Sequence, residues 1–83
     1  PGAGNTKGQL MDTAELTRMA NQMADYFAAY GHDEAVAGIA DHIEKFWDPR
    51  MRRGLLDHVR AGGAGLDPLV VEASARLTLP ADR

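Results

Sequence analysis

The sequence contains no cysteine. That excludes a disulfide-stapled scaffold and a zinc site built on thiolates. It also lacks any apolar run approaching the ~20 residues that a membrane-crossing helix needs. No stretch reads as a secretory signal, so the expected address is the cytoplasm, with no membrane partner. Cations are the minority charge: nine Lys and Arg stand against twelve Asp and Glu, a formal charge of −3. That balance weakens a reading based on wide nucleic-acid contact, because such domains usually carry a basic face. Serine is nearly absent too. Ser74 has no base at a spacing that would activate it as a nucleophile.

What is present is short: 83 residues, enough for one domain. The first part contributes little. Pro1 to Gln9 holds three glycines, one charge and no large apolar residue, and Met11 is a plausible natural start. Residues 1–11 therefore read as a disordered tail, of the kind a recombinant leader leaves. Residues 12–79 read as a single helical domain and 80–83 as a loose tail. A domain of this size, without disulfide or metal, draws only a few kcal/mol of stability from its core. It has little room for both a core and an enclosed active site.

Four helices are predicted from start signals, stop signals and apolar spacing. Asp12 and Glu15 have capping-box spacing, and Leu16, Met19, Met23, Phe27 and Tyr30 follow at three- and four-residue steps, widened by Ala20 and Ala24. Gly31 supplies a left-handed stop, giving a first helix over 13–30. The second runs 34–47, capped by Asp33, with Val36, Ile39, Ala40, Ile43, Phe46 and Trp47 on its apolar face. Gly38 inside it marks a close helix–helix approach. Asp48-Pro49 starts a third helix over 49–61, with Met51, Leu55 and Val59 inward. Gly62-Gly63-Ala64-Gly65 ends it. Asp67-Pro68 repeats the cap-and-proline device for a fourth helix over 68–77, on which Val71 points away from the core. No segment alternates as a strand would. The expected fold is all-α, a small bundle of three to four short helices with the first two as an antiparallel hairpin.

Few residues offer chemistry. His32 falls in a turn and reads as solvated, while His42 and His58 read as histidines satisfied at helix interfaces. No third and fourth ligand accompanies them, so no metal site is expected. The glycine cluster precedes a helix start, yet Asp67 would repel a phosphate there and the P-loop lysine is missing. The arginines say more. Arg50, Arg52 and Arg53 crowd the start of the third helix, where cations oppose the helix dipole. Asp48, Glu44 or the anionic groups of a partner must answer them. Trp47, the only tryptophan, sits beside them either as a core residue at the corner or as an interface anchor. Arg18, Gln22 and Asp25 fall opposite the apolar stripe of the first helix.

Three strings together are recognisable: Arg18-Met19-Ala20-Asn21-Gln22, Phe46-Trp47-Asp48-Pro49-Arg50-Met51-Arg52, and Gly62-Gly63-Ala64-Gly65-Leu66-Asp67-Pro68-Leu69-Val70. With Ile39-Ala40-Asp41-His42-Ile43 between them, the chain resembles the delta subunit of NAD-dependent formate dehydrogenase over about residues 16–77. The resemblance implies a non-catalytic accessory subunit of a cytoplasmic molybdenum enzyme, supporting assembly, stability or cofactor retention. It places molybdopterin, iron–sulfur clusters, FMN and NAD in the partner catalytic and diaphorase subunits, and none of them in this chain. Docking is then expected at the corner of the second and third helices, through Trp47, Asp48, Arg50, Arg52 and Arg53, and on the polar face of the first helix through Arg18 and Gln22. A small helical nucleic-acid binder using the Arg-rich third helix is the alternative. An enzyme built on His42 or His58 is the weakest reading, because no companion group can be named.

Overall fold

Asp12, Asp48 and Asp67 each accept a backbone N–H at a helix start, from Glu15, Met51 and Leu69 respectively, all at 2.9 Å. Each bond satisfies one of the N–H groups that a helix leaves unpaired at its beginning. The structure, a computed structural model, describes residues 12–77. The tails expected at 1–11 and 80–83 lie outside the described residues. The helices are α1 (Thr13–Phe27), α2 (His32–Phe46), α3 (Pro49–Arg60) and α4 (Pro68–Ser74), with a 3-10 turn at Ala28–Tyr30. There is no strand among the described residues, so the all-α expectation holds. Pro49 and Pro68 open α3 and α4, where a missing N–H is harmless.

Helix α1, expected to run to Tyr30, gives way to the 3-10 turn after Phe27, α2 and α3 each end one residue early, and two further boundaries differ by more. Helix α2 starts at His32, with Gly31 rather than Asp33 in the cap position and no side-chain cap. Gly31 has φ 96°, so one left-handed residue both ends the 3-10 turn and launches the next helix. Asp33 then lies inside the first turn with Glu34, at the positive end of the helix. Helix α4 stops at Ser74. Ala75, Arg76 and Leu77 donate to the carbonyls three residues back, which tightens the chain out of α geometry.

The core gathers Leu16, Ala20 and Ala24 from α1 and Val36, Ile39, Ala40 and Ile43 from α2. Trp47, Leu55, Val70 and Ala73 complete it. Ile39, Ile43, Leu55 and Val70 are the largest fully buried side chains. Burying each stabilises the fold by roughly 1.5–3 kcal/mol relative to exposure. Helix α2 packs on α1 and most extensively on α4, and α3 packs on α1 and α4. The stripe of α1 is buried differently from its expected form. Its fully covered line is Leu16, Ala20 and Ala24, while Met19, Met23 and Phe27 are only partly covered. Small residues at the contact let the backbones approach, and the long side chains are displaced to the flank. Gly38 on α2 makes room for a side chain: a Cβ there would lie 2.6 Å from the Phe27 ring. Tyr30 and Phe46, both expected inward, are exposed. Tyr30 sits in the 3-10 turn, past the helical register of the stripe. Phe46 occupies the last turn of α2 and rests on the His42 ring, with centroids 4.7 Å apart.

The glycine loop is tied down from both sides. Gly62 and Gly63 close α3 by donating to Val59 O and His58 O at 3.0 and 2.8 Å, a Schellman arrangement that needs the positive φ of 122° at Gly62. His58 Nε2 lies 2.8 Å from Ala64 O. From α1, Asn21 Nδ2 donates to Gly65 O, and Asn21 Oδ1 accepts from the Asp67 N–H, both at 2.8 Å.

Candidate functional site

The displaced side chains of α1 form one wall of a groove. Met19, Met23 and Tyr26 recur at three- and four-residue steps, and Gln22 and Phe27 extend the wall. His42 and Trp47 form the opposite side. The cavity measures about 360 Å³ and contains no charged side chain in its lining. Tyr26 and Phe46 are 64% and 70% exposed, so two large aromatic faces stand in water beside this groove. The chemistry offered is apolar contact with a few hydrogen-bonding groups: the Gln22 amide, the Tyr26 hydroxyl and the His42 ring.

The residues expected at a partner surface have separate fates. Trp47 is buried, at 5% exposure, and belongs to the core; only its groove side is open to a ligand. Gln22 lies on the α1 side of the same groove. Asp48 is exposed and caps α3. Arg52 is half-buried, and its Nη1 donates to Glu44 O at 3.1 Å and to Trp47 O at 3.2 Å. It thus places a cation over the carbonyl end of α2, where the dipole favours positive charge. This resolves part of the conflict at the start of α3: the arginine there serves the end of the preceding helix. Its buried Nε has no partner among the described residues. Arg18 forms an ion pair with Glu15 on its own helix. Arg53 is exposed but not free of contacts. Arg50 is exposed and has no ion partner among the described residues. Arg60, further along α3, approaches Asp57 at 3.7 Å.

The structure therefore unites Trp47 with Gln22 at the groove, and Arg52 with Trp47 at the corner. It does not gather the α3 arginines onto one basic face, because Arg52 is turned toward α2. Sequence reasoning missed Met19, Met23, Tyr26 and His42 as a surface. The available signal was the alanine pair at 20 and 24, which leaves the large neighbours no place in the helix contact.

The histidines are packed or paired structurally. His32, expected as a solvated turn residue, is the first residue of α2, and its Nε2 meets Glu72 on α4 at 2.7 Å. Both side chains are more than half exposed, so the pair is a weak tether. Among the described residues no group of three or more His, Cys, Asp or Glu could hold a metal ion. With no cysteine in the chain either, the donors present do not fit an iron–sulfur cluster. Ser74 is buried and donates to Val71 O at 2.7 Å, so its hydroxyl closes the last turn of α4. Among the described residues, the Tyr30 phenol is held above the ordinary tyrosine value of 10.0, first by its hydrogen bond with Tyr26. The two hydroxyls are 3.4 Å apart. No described helix is long and apolar enough to cross a membrane.

A search of curated proteins finds no match to the chain. A protein-family model described as NADH-dependent formate dehydrogenase delta subunit, FdsD, matches residues 15–74. That span contains the alanine contact, every residue lining the groove, the Asp48-Pro49 corner and the Asn21-clasped loop. The chain belongs to the family of NADH-dependent formate dehydrogenase delta subunits.

Proposed function

We propose that the protein is a non-catalytic accessory subunit that docks on the other subunits of a formate dehydrogenase and supports their assembly, stability or cofactor retention. The family match over 15–74 is the observation that carries this reading. The surface is compatible with it: an apolar groove flanked by two exposed aromatic side chains, on a chain whose described histidines and serine make structural contacts. In this reading molybdopterin, iron–sulfur clusters, FMN and NAD belong to the catalytic and diaphorase subunits, and the complex works in the cytoplasm.

The test is a deletion of this chain from cells that make the enzyme. Formate-dependent NAD reduction and the cofactor content of the purified remainder should fall, and re-expression of the chain should restore both. The isolated chain should reduce no NAD. Unchanged activity, cofactor content and complex size after deletion would defeat the proposal. The nucleic-acid alternative depends on a continuous basic face on α3, and the engagement of Arg52 with two carbonyls removes one member of it. A gel shift at low salt addresses it directly.

A further inference from the structure

We propose that Met19 and Met23 form a reversible oxidation site. A hydroperoxide converts them to sulfoxides, and the wall of the groove passes from apolar to polar while the fold stays intact. The modification belongs to this chain alone and does not depend on the accessory role.

Three observations carry it. The first is access. Met19 and Met23 are half-buried and line the cavity of about 360 Å³, so an oxidant little larger than water reaches them. Met51 is half-buried too, but it packs on the core and does not line that cavity. The second is position. The two methionines stand four residues apart on α1 and face Trp47 across the groove, so a change in their polarity reaches the indole. The third is accommodation. Gln22 follows Met19 by three residues and Tyr26 follows Met23 by three, the spacing of neighbours on a helix surface, and both line the groove. A thioether is a weak acceptor, and a sulfoxide oxygen is a strong one. The Gln22 amide and the Tyr26 hydroxyl are donors suited to it. No carboxylate lines the groove to repel it. Oxidation of a methionine closed inside a core would disrupt packing, whereas here the new oxygen has donors and water on its own side.

The chemistry is a transfer of one oxygen. A sulfur lone pair attacks a peroxide oxygen, the O–O bond breaks, and the proton of the attacked oxygen passes to the leaving one. Sulfur loses two electrons, and the hydroperoxide is reduced to water or an alcohol. Methionine sulfoxide reductases reverse the change, one enzyme for each sulfoxide epimer.

The experiment treats the full chain with graded hydrogen peroxide in a Met11→Leu background, because Met11 lies outside the described residues. Peptide mass spectrometry should show Met19 and Met23 gaining oxygen several-fold faster than Met51, with Trp47 unmodified. Trp47 emission should move to longer wavelength, because the indole lines the groove, and the helical circular dichroism should be retained. A mixture of both sulfoxide reductases should return the emission to its starting position. Met19→Leu/Met23→Leu, a nearly volume-conserving change, should abolish the emission response, and Met51→Leu should keep it.

Oxidation of Met51 as fast as that of Met19 and Met23 overturns the assignment, and this rate comparison needs no variant at the groove. Unchanged emission once both groove methionines are sulfoxides also overturns it, as does a shift that survives Met19→Leu/Met23→Leu. Loss of helicity on oxidation makes the change damage to the fold and refutes the proposal as well. Each of these results leaves the accessory role standing, since deletion of the chain tests that separately.

Discussion

Asn21 joins parts of the chain more than forty residues apart, and its removal should be costly for so small a domain. Its amide donates to Gly65 O and accepts from the Asp67 N–H, both at 2.8 Å. Each bond is worth a net ~1 kcal/mol. Both ends can recruit water once the amide is gone, so Asn21→Ala should lose about 1–2 kcal/mol in all. The consequence extends to α4. Seven residues are too few for an autonomous helix, which needs roughly 12–15 even with favourable sequences. Helix α4 is held by its Asp67 cap and by docking of Val70 and Ala73, and Asn21 fixes the backbone of that cap. For a domain of this size 1 kcal/mol shifts Tm by about 4–8 °C, so the variant should melt roughly 5–15 °C lower. Thermal and urea unfolding followed by circular dichroism would measure it. The urea midpoint should fall at an unchanged slope, and amide exchange should accelerate first at Val70 and Ala73. Gln22→Ala, one residue along on an exposed position, should stay within about 0.5 kcal/mol of wild type. A Tm for Asn21→Ala indistinguishable from that of Gln22→Ala would refute the clasp.

Three further outcomes follow from the packing and the corner. Gly38→Ala should destabilise by roughly 1–2 kcal/mol despite the better helix propensity of alanine, because the new methyl would meet the Phe27 ring at 2.6 Å; a rise in Tm would show that the ring has room to move. Arg52→Met keeps the aliphatic stem but loses the bonds to Glu44 O and Trp47 O, and should cost about 1–3 kcal/mol in urea unfolding; equal stability would return Arg52 to the pool of free surface cations. Tyr26→Phe should let Tyr30 ionise at lower pH, since the Tyr26 hydrogen bond is the main cause of its raised value. The sign is that of a raised folded pKa: the contribution is complete below the unfolded value of about 10 and is lost as pH climbs through the folded one. Phenolate absorbance during an alkaline titration reads this directly, and an unmoved Tyr30 transition would count against the contact.

The helices were legible because their signals are local. Asp12, Asp48 and Asp67 cap the helices they were expected to cap, and the two Asp-Pro steps start α3 and α4 at the expected residues. The site was less legible because burial is a matter of which side chain reaches a neighbour first. Periodicity assigned Met19, Met23, Phe27 and Tyr30 to one apolar stripe, yet it carries no information about how closely the facing helix approaches. The alanines took the contact and Gly38 admitted the Phe27 ring, so the methionines were left to line a groove. The arginines show the same limit. Their crowding at the start of α3 was plain, but not that Arg52 turns back over the end of α2.

The sequence by itself determined an all-α chain, its capped helix starts, the lack of thiol chemistry and a recognisable family pattern, since all of these depend on residue type and short spacing. Only the tertiary structure decided that Trp47 is core, that Asn21 clasps the glycine loop and that Arg50 stands without an ion partner among the described residues. The first two depend on contacts between segments distant in the chain, and the third on where the neighbouring side chains turn, none of which residue type and short spacing encode.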